Sequence, residues 1–177
     1  MVAGFSPPAF QEILRESTLK GHSICMSANY RRCLPHWQPS EATFFVTWRL
    51  HGSRPRCPGG PLWLMESHVA STVSLEILDS KYKDAIDQLF AWVVMPNHVH
   101  LLLRPRGELM PVLQRIKGAS ARKANLLFDR RGRFWLEESF DHWVRNDIEQ
   151  NPVIAGLVDT PKAWRWSSAG WPREGSC

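Results

Sequence analysis

Two short apolar runs, LFAWVVM from Leu89 to Met95 and HVHLLL from His98 to Leu103, flank the dipeptide Pro96-Asn97. Proline and asparagine break an extended run and turn the chain, so the pair reads as an antiparallel hairpin. Side chains of a strand alternate between its faces. Val99, Leu101 and Leu103 therefore share one face of the second strand, while His98, His100 and Leu102 share the other.

The flanking sequence supplies partners for this hairpin. In EATFFVTWRL (Glu41 to Leu50), Phe44, Val46, Trp48 and Leu50 alternate with Thr43, Phe45, Thr47 and Arg49, which predicts a strand. A Gly- and Pro-rich loop, HGSRPRCPGGP, follows it. From Leu62 to Leu78 apolar residues recur irregularly and are read as a helix. From Leu109 to Phe128, Leu109, Val112, Leu113, Ile116, Ala119, Ala124 and Leu127 recur at helical spacing. Gly132 ends that segment, and Arg133 to Leu136 reads as a further strand. The order is strand, helix, strand, strand, helix, strand. It predicts an α+β chain with a ferredoxin-like split βαβ, an antiparallel sheet and helices on one face. Residues 1–27 read as an N-terminal extension, 28–160 as the main domain, and 161–177 as a C-terminal appendage rich in tryptophan (Trp164, Trp166, Trp171).

Composition narrows the function classes. With 177 residues, 44% hydrophobic and 22% charged, the chain suits one globular domain with short extensions. No run approaches the roughly 20 apolar residues of a membrane span, and the first residues lack the pattern of a secretory signal. The four cysteines form no CxxC pair, which disfavours a disulfide scaffold and a structural zinc site. A cytoplasmic protein with no membrane partner is expected. The net charge is +5, yet Leu109 to Arg133 alone carries seven basic residues against Asp129. Concentrated positive charge favours a polyanionic partner; the plain alternative is a solvated helix face.

The two histidines of His98-Val99-His100 project together from one strand. Such a pair can hold a divalent cation and leave positions open for water or a phosphate. The competing reading is a strand with one solvated face that happens to carry two polar residues.

The wider string AWVVMPNHVHLLLRP resembles the REP-associated tyrosine transposases, IS200-like members of the single-tyrosine, His-hydrophobic-His endonucleases. Further blocks carry the resemblance in the expected order: Tyr30-Arg31-Arg32-Cys33-Leu34-Pro35-His36-Trp37, ATFFVTWRLHGS, LQRIKGASARKAN, FWLEESFDHWVRND and IEQNPVIAGLV, which together cover most of the chain from Tyr30 on. The resemblance implies an enzyme, a transposase or DNA strand transferase. It would act on single-stranded or hairpin DNA through Mg²⁺ or Mn²⁺ and a covalent 5′-phosphotyrosine. It also implies that His98 and His100 are metal ligands, with Asn151 of IEQNP as the third polar ligand. Arg115, Lys117, Ser120, Arg122, Lys123 and Asn125 of the basic helix would contact the DNA backbone, joined by Arg31 and Arg32. His36 and Trp37 would add charge and a stacking ring. The family acts as monomer or homodimer.

One departure stands out. The residue four before Asn151, where the family carries its tyrosine, is Asp147. VRND runs straight into IEQNP, so the tyrosine-bearing helix reads as shortened. The chain's two tyrosines, Tyr30 and Tyr82, lie elsewhere in the pattern. A carboxylate at 147 would give a labile acyl phosphate and repel the substrate. Loss of cleavage is therefore expected, and a non-catalytic DNA-binding module derived from a transposase is the alternative to an active enzyme. A metal-dependent hydrolase of small phosphate esters is the third reading.

Overall fold

The computed structural model describes residues 42–53, 60–142 and 147–171, with the side chains of Tyr82 and residues 138–142 left aside. The N-terminal extension, Tyr30, Arg31, Arg32, His36 and Trp37 lie outside the described residues. β1 (Phe44–Leu50) leads through a 3-10 turn at Trp63–Met65 into α1 (Ser67–Tyr82). The hairpin β2 (Ile86–Met95) and β3 (His98–Pro105) follows, then α2 (Leu109–Leu127) and β4 (Trp135–His142). The sheet has the order β2-β3-β1-β4, with every pairing antiparallel. This is the α+β arrangement expected from the sequence.

The register explains the division of faces. Phe44, Val46 and Trp48 lie opposite Leu103, Leu101 and Val99, and Trp92 and Val94 extend the same rows onto β2. These residues form one buried cluster with Val69, Ala70, Val73 and Ile77 of α1 and Leu109, Val112, Leu113, Ile116 and Ala124 of α2. Both helices thus cover a single face of the sheet. The opposite face carries Phe45, Thr47 and Arg49 against Leu102, His100 and His98.

Three element boundaries differ from the sequence reading. The segment from Leu62 to Leu78 is not one helix: Glu66, at φ −68° and ψ 120°, is extended and separates the 3-10 turn from α1. Leu64 is apolar because it packs at the end of the sheet, where it is fully buried and its N–H donates to Pro96 O. The strand read at Arg133 to Leu136 starts at Trp135 and continues to His142, paired with β1 across a register shift. The hairpin strands are longer than read, reaching Ile86 and Pro105 through two irregularities in pairing.

The segment after residue 146 returns to β2. A 3-10 turn at Ile148–Gln150 lies against that strand and runs into the short α3 (Asn151–Ile154). Trp164 is buried, with its indole N–H on Val94 O, while Val94 N–H donates to Trp166 O and Ser167 bridges Val93. These contacts cover the outer edge of β2, whose backbone groups would otherwise be open to pairing with another chain. Among the described residues no helix is long and apolar enough to cross a membrane.

Candidate metal and nucleic-acid site

β3 positions the two histidines as alternation requires. Their neighbours Val99 and Leu101 are fully buried in the core, so the strand cannot rotate and His98 and His100 must face the other way. The rings meet nearly edge-on, with an interplanar angle of 88° and centroids 4.6 Å apart. Nε2 of His98 lies 2.9 Å from Nε2 of His100. The outer nitrogens are both occupied: His98 Nδ1 is 2.6 Å from Asn97 Oδ1, and His100 Nδ1 is 2.8 Å from Thr47 Oγ1. Phe45 stacks on the His100 ring at 5.6 Å.

Asn97 and Thr47 are functional candidates that the sequence reading missed. An amide oxygen accepts but cannot donate, so Asn97 Oδ1 holds the proton of His98 on Nδ1 and leaves Nε2 with its lone pair. The turn that carries Asn97 is itself anchored, since its carbonyl accepts from Leu50 N–H at 2.9 Å. Thr47 reaches His100 only because the β1–β3 register sets the two opposite each other. Burial pushes the His98 imidazole down to about 3, and the neighbouring His100 and Arg49 act in the same direction. His98 is accordingly neutral across the physiological range, as a metal ligand must be. Burial also lowers the Arg49 guanidinium, which faces the pair from β1.

The residues present fit a divalent cation. Two nitrogens at about 2.1 Å from one ion and at right angles to each other are about 3.0 Å apart, close to the observed separation. The same separation also suits a hydrogen bond between the rings. Asn151 opens α3 and is half-buried. Asp147 is exposed at the start of the 3-10 turn. Among the described residues no group of three or more His, Cys, Asp or Glu side chains is placed to hold an ion, so a third ligand drawn from them would be of another type.

The basic helix is more internally committed than its sequence suggests. Arg115 pairs with Asp79 of α1 at 3.6 Å. Lys123 pairs with the buried Glu76 of α1. Lys117 donates to Leu136 O and Glu137 O of β4 at 2.9 and 3.0 Å. Burial pushes the Lys117 ammonium down to about 8, against the opposing pull of Glu137. Asn125 donates to Gly132 O and accepts from Arg130. Ser120, expected among the DNA contacts, is fully buried: its hydroxyl donates to Ile116 O and accepts from the Trp135 indole. It packs the helix onto β4 instead. Arg122 is exposed.

Residues 64–144 match the family model described as "Transposase IS200 like". The likeness to that family covers this stretch, a little under half of the chain. It spans the sequence from the turn before α1 to the end of β4 and includes both histidines. A solved structure described as a REP-associated tyrosine transposase bound to a REP hairpin matches with a TM-score of 0.59 at 22% identity, covering 81% of this chain and 83% of that one. At that identity the likeness shows a shared fold. A second structure, a candidate transposase from Deinococcus radiodurans R1, matches at a TM-score of 0.44 and 18% identity, covering 72% of this chain and 98% of that one. That likeness is too distant to bear on the fold. Comparison with curated proteins gives no match.

Proposed function

We propose that this transposase-domain protein binds single-stranded or hairpin DNA and engages a phosphate of it at the His98–His100 pair, with Mg²⁺ or Mn²⁺ held by the two Nε2 atoms and by Asn151. The observation that carries the reading is the convergence of the two Nε2 atoms to 2.9 Å on the sheet face opposite α1 and α2. A bound divalent cation supplies charge neutralisation at a phosphodiester and polarises its phosphorus–oxygen bonds. The chain's own residues do the rest. Asn97 and Thr47 orient the imidazoles, Phe45 fixes the His100 ring by stacking, and exposed cations hold the DNA backbone.

Cleavage needs a hydroxyl nucleophile. Asp147 stands where the family tyrosine is expected, and Tyr82 ends the helix that packs on the opposite sheet face. We therefore assign the protein to binding without a covalent phosphotyrosine step, a DNA-binding module of transposase descent. That a solved transposase of the same fold is described as bound to a REP hairpin supports DNA as the partner. The test is incubation with a labelled DNA hairpin bearing a single-stranded tail, with Mn²⁺. A salt-sensitive complex without a denaturation-resistant adduct is the expected result. An adduct mapped to a tyrosine would show an active strand transferase, and absence of any complex would overturn the DNA-binding reading.

A further inference from the structure

The loop between α2 and β4 is short, rich in arginine and held in one shape. Asp129 and Gly132 take positive φ values of 46° and 103°, the backbone of tight turns. Asn125 clips the loop from both ends: its amide N–H donates to Gly132 O at 2.9 Å, and its Oδ1 accepts from Arg130 at 3.0 Å. Arg130 N–H also donates to Asn125 O at 2.9 Å. The Arg130 guanidinium lies over the Trp63 ring, 4.0 Å from its centroid, and donates to Arg133 O. Phe134 stacks on Trp63 at 5.4 Å. Arg130 and Asn125 make most of these contacts, while Arg131 and Arg133 stay exposed.

Two cations of α2 are committed elsewhere: Lys117 satisfies carbonyls of β4 and Lys123 pairs with the buried carboxylate of Glu76, and drawing either onto a phosphate would uncover those partners. Among the described residues Arg133 pairs with the exposed Glu137 at 3.7 Å, and exposed pairs of this kind exchange readily for a stronger anion. A loop fixed before binding loses little conformational entropy on contact. We infer that Arg131 and Arg133, displayed by the Asn125–Arg130–Trp63 clamp, form a preorganised contact for the DNA phosphodiester backbone. The inference rests on the DNA-binding reading above and locates its electrostatic contact in the loop rather than along the helix.

Each phosphate contact adds about 0.9 to the slope of log K against log salt on duplex DNA. The experiment measures binding of a fluorescein-labelled DNA hairpin by anisotropy across about 50–200 mM NaCl. It compares the wild-type chain, the double variant Arg131→Ala/Arg133→Ala, and Arg106→Ala as a control. Arg106 is exposed too but lies before α2, at the other end of that helix. The double variant should lose about 1.8 from the slope, two contacts' worth, with an unchanged thermal melt. Arg106→Ala should keep the wild-type slope. An unchanged slope in the double variant, with wild-type binding intact, overturns this inference alone and leaves the arginines as solvated helix-end charges. An equal loss in Arg106→Ala would reduce the effect to net charge and overturn it as well. Failure of the wild-type chain to bind any hairpin overturns both this inference and the reading beneath it.

Discussion

Ser120 separates two accounts of the basic helix. Its hydroxyl is fully buried, donates to Ile116 O at 2.6 Å and accepts from Trp135 Nε1 at 3.1 Å. Ser120→Ala removes the acceptor and leaves the indole N–H of a buried tryptophan without a partner. Stranding a buried donor costs about 1–3 kcal/mol. The lost bond to Ile116 O adds little, because that carbonyl keeps its helical N–H partner. For a chain of this size about 1 kcal/mol lowers Tm by about 2–4 °C, so circular dichroism should show a fall of about 2–12 °C. Hairpin affinity measured well below the new Tm should be unchanged. Because the cost comes from the stranded indole, Ser120→Ala and Trp135→Phe should not add: the double variant should be less destabilised than the sum of the singles. An unaltered Tm together with weakened DNA binding would refute the packing role and return Ser120 to the DNA-facing surface.

Other outcomes follow from the same geometry. Asn97→Ala removes the acceptor that sets the His98 tautomer and should weaken Mn²⁺ binding, read by electron paramagnetic resonance, by about 10–100-fold; affinity equal to wild type would show that the ring needs no such partner. Lys117 has its folded value at about 8, below the ordinary 10.5. Between those two values the unfolded chain retains a proton that the native state has released, so this lysine's contribution to stability rises with pH across that window and is least favourable below about pH 8. Urea midpoints of wild type and Lys117→Met should therefore diverge in favour of wild type from about pH 8 to 10.5, and a constant difference would contradict the burial argument. Leu101→Ala, in the centre of the cluster under both helices, should cost about 2–5 kcal/mol in urea denaturation; a smaller loss would mean that the sheet's covered face is loosely packed.

The parts of the fold legible in the sequence are those whose periodicity one layer dictates. β1 sets Phe44, Val46, Trp48 and Leu50 on the face that packs under the helices, and α2 shows its stripe because only one side meets the sheet. The turn at Trp63–Met65 was folded into a helix because apolar residues there pack at a sheet end rather than along a helix face. β4 was cut short because FWLEESFDH sets acids among aromatics, as an edge strand allows, and period alone does not reveal its length. In the site, His98 and His100 were legible through the two-residue repeat. Thr47 was not, because its place beside His100 depends on a pairing register set by distant residues. Asn97 carried a signal, an acceptor amide directly before the first histidine, but in the sequence it served only to mark the turn. The charge of α2 was legible too, whereas its partners Glu76 and Asp79 stand on another helix and meet it only after packing.

At the centre of the proposed site are two imidazoles that share one guest. Isothermal titration of Mn²⁺ into the wild-type chain, His98→Ala and His100→Ala near neutral pH tests it most directly. Saturable binding by wild type that is lost in each alanine variant is the predicted result. Equal Mn²⁺ affinity in all three chains would contradict it.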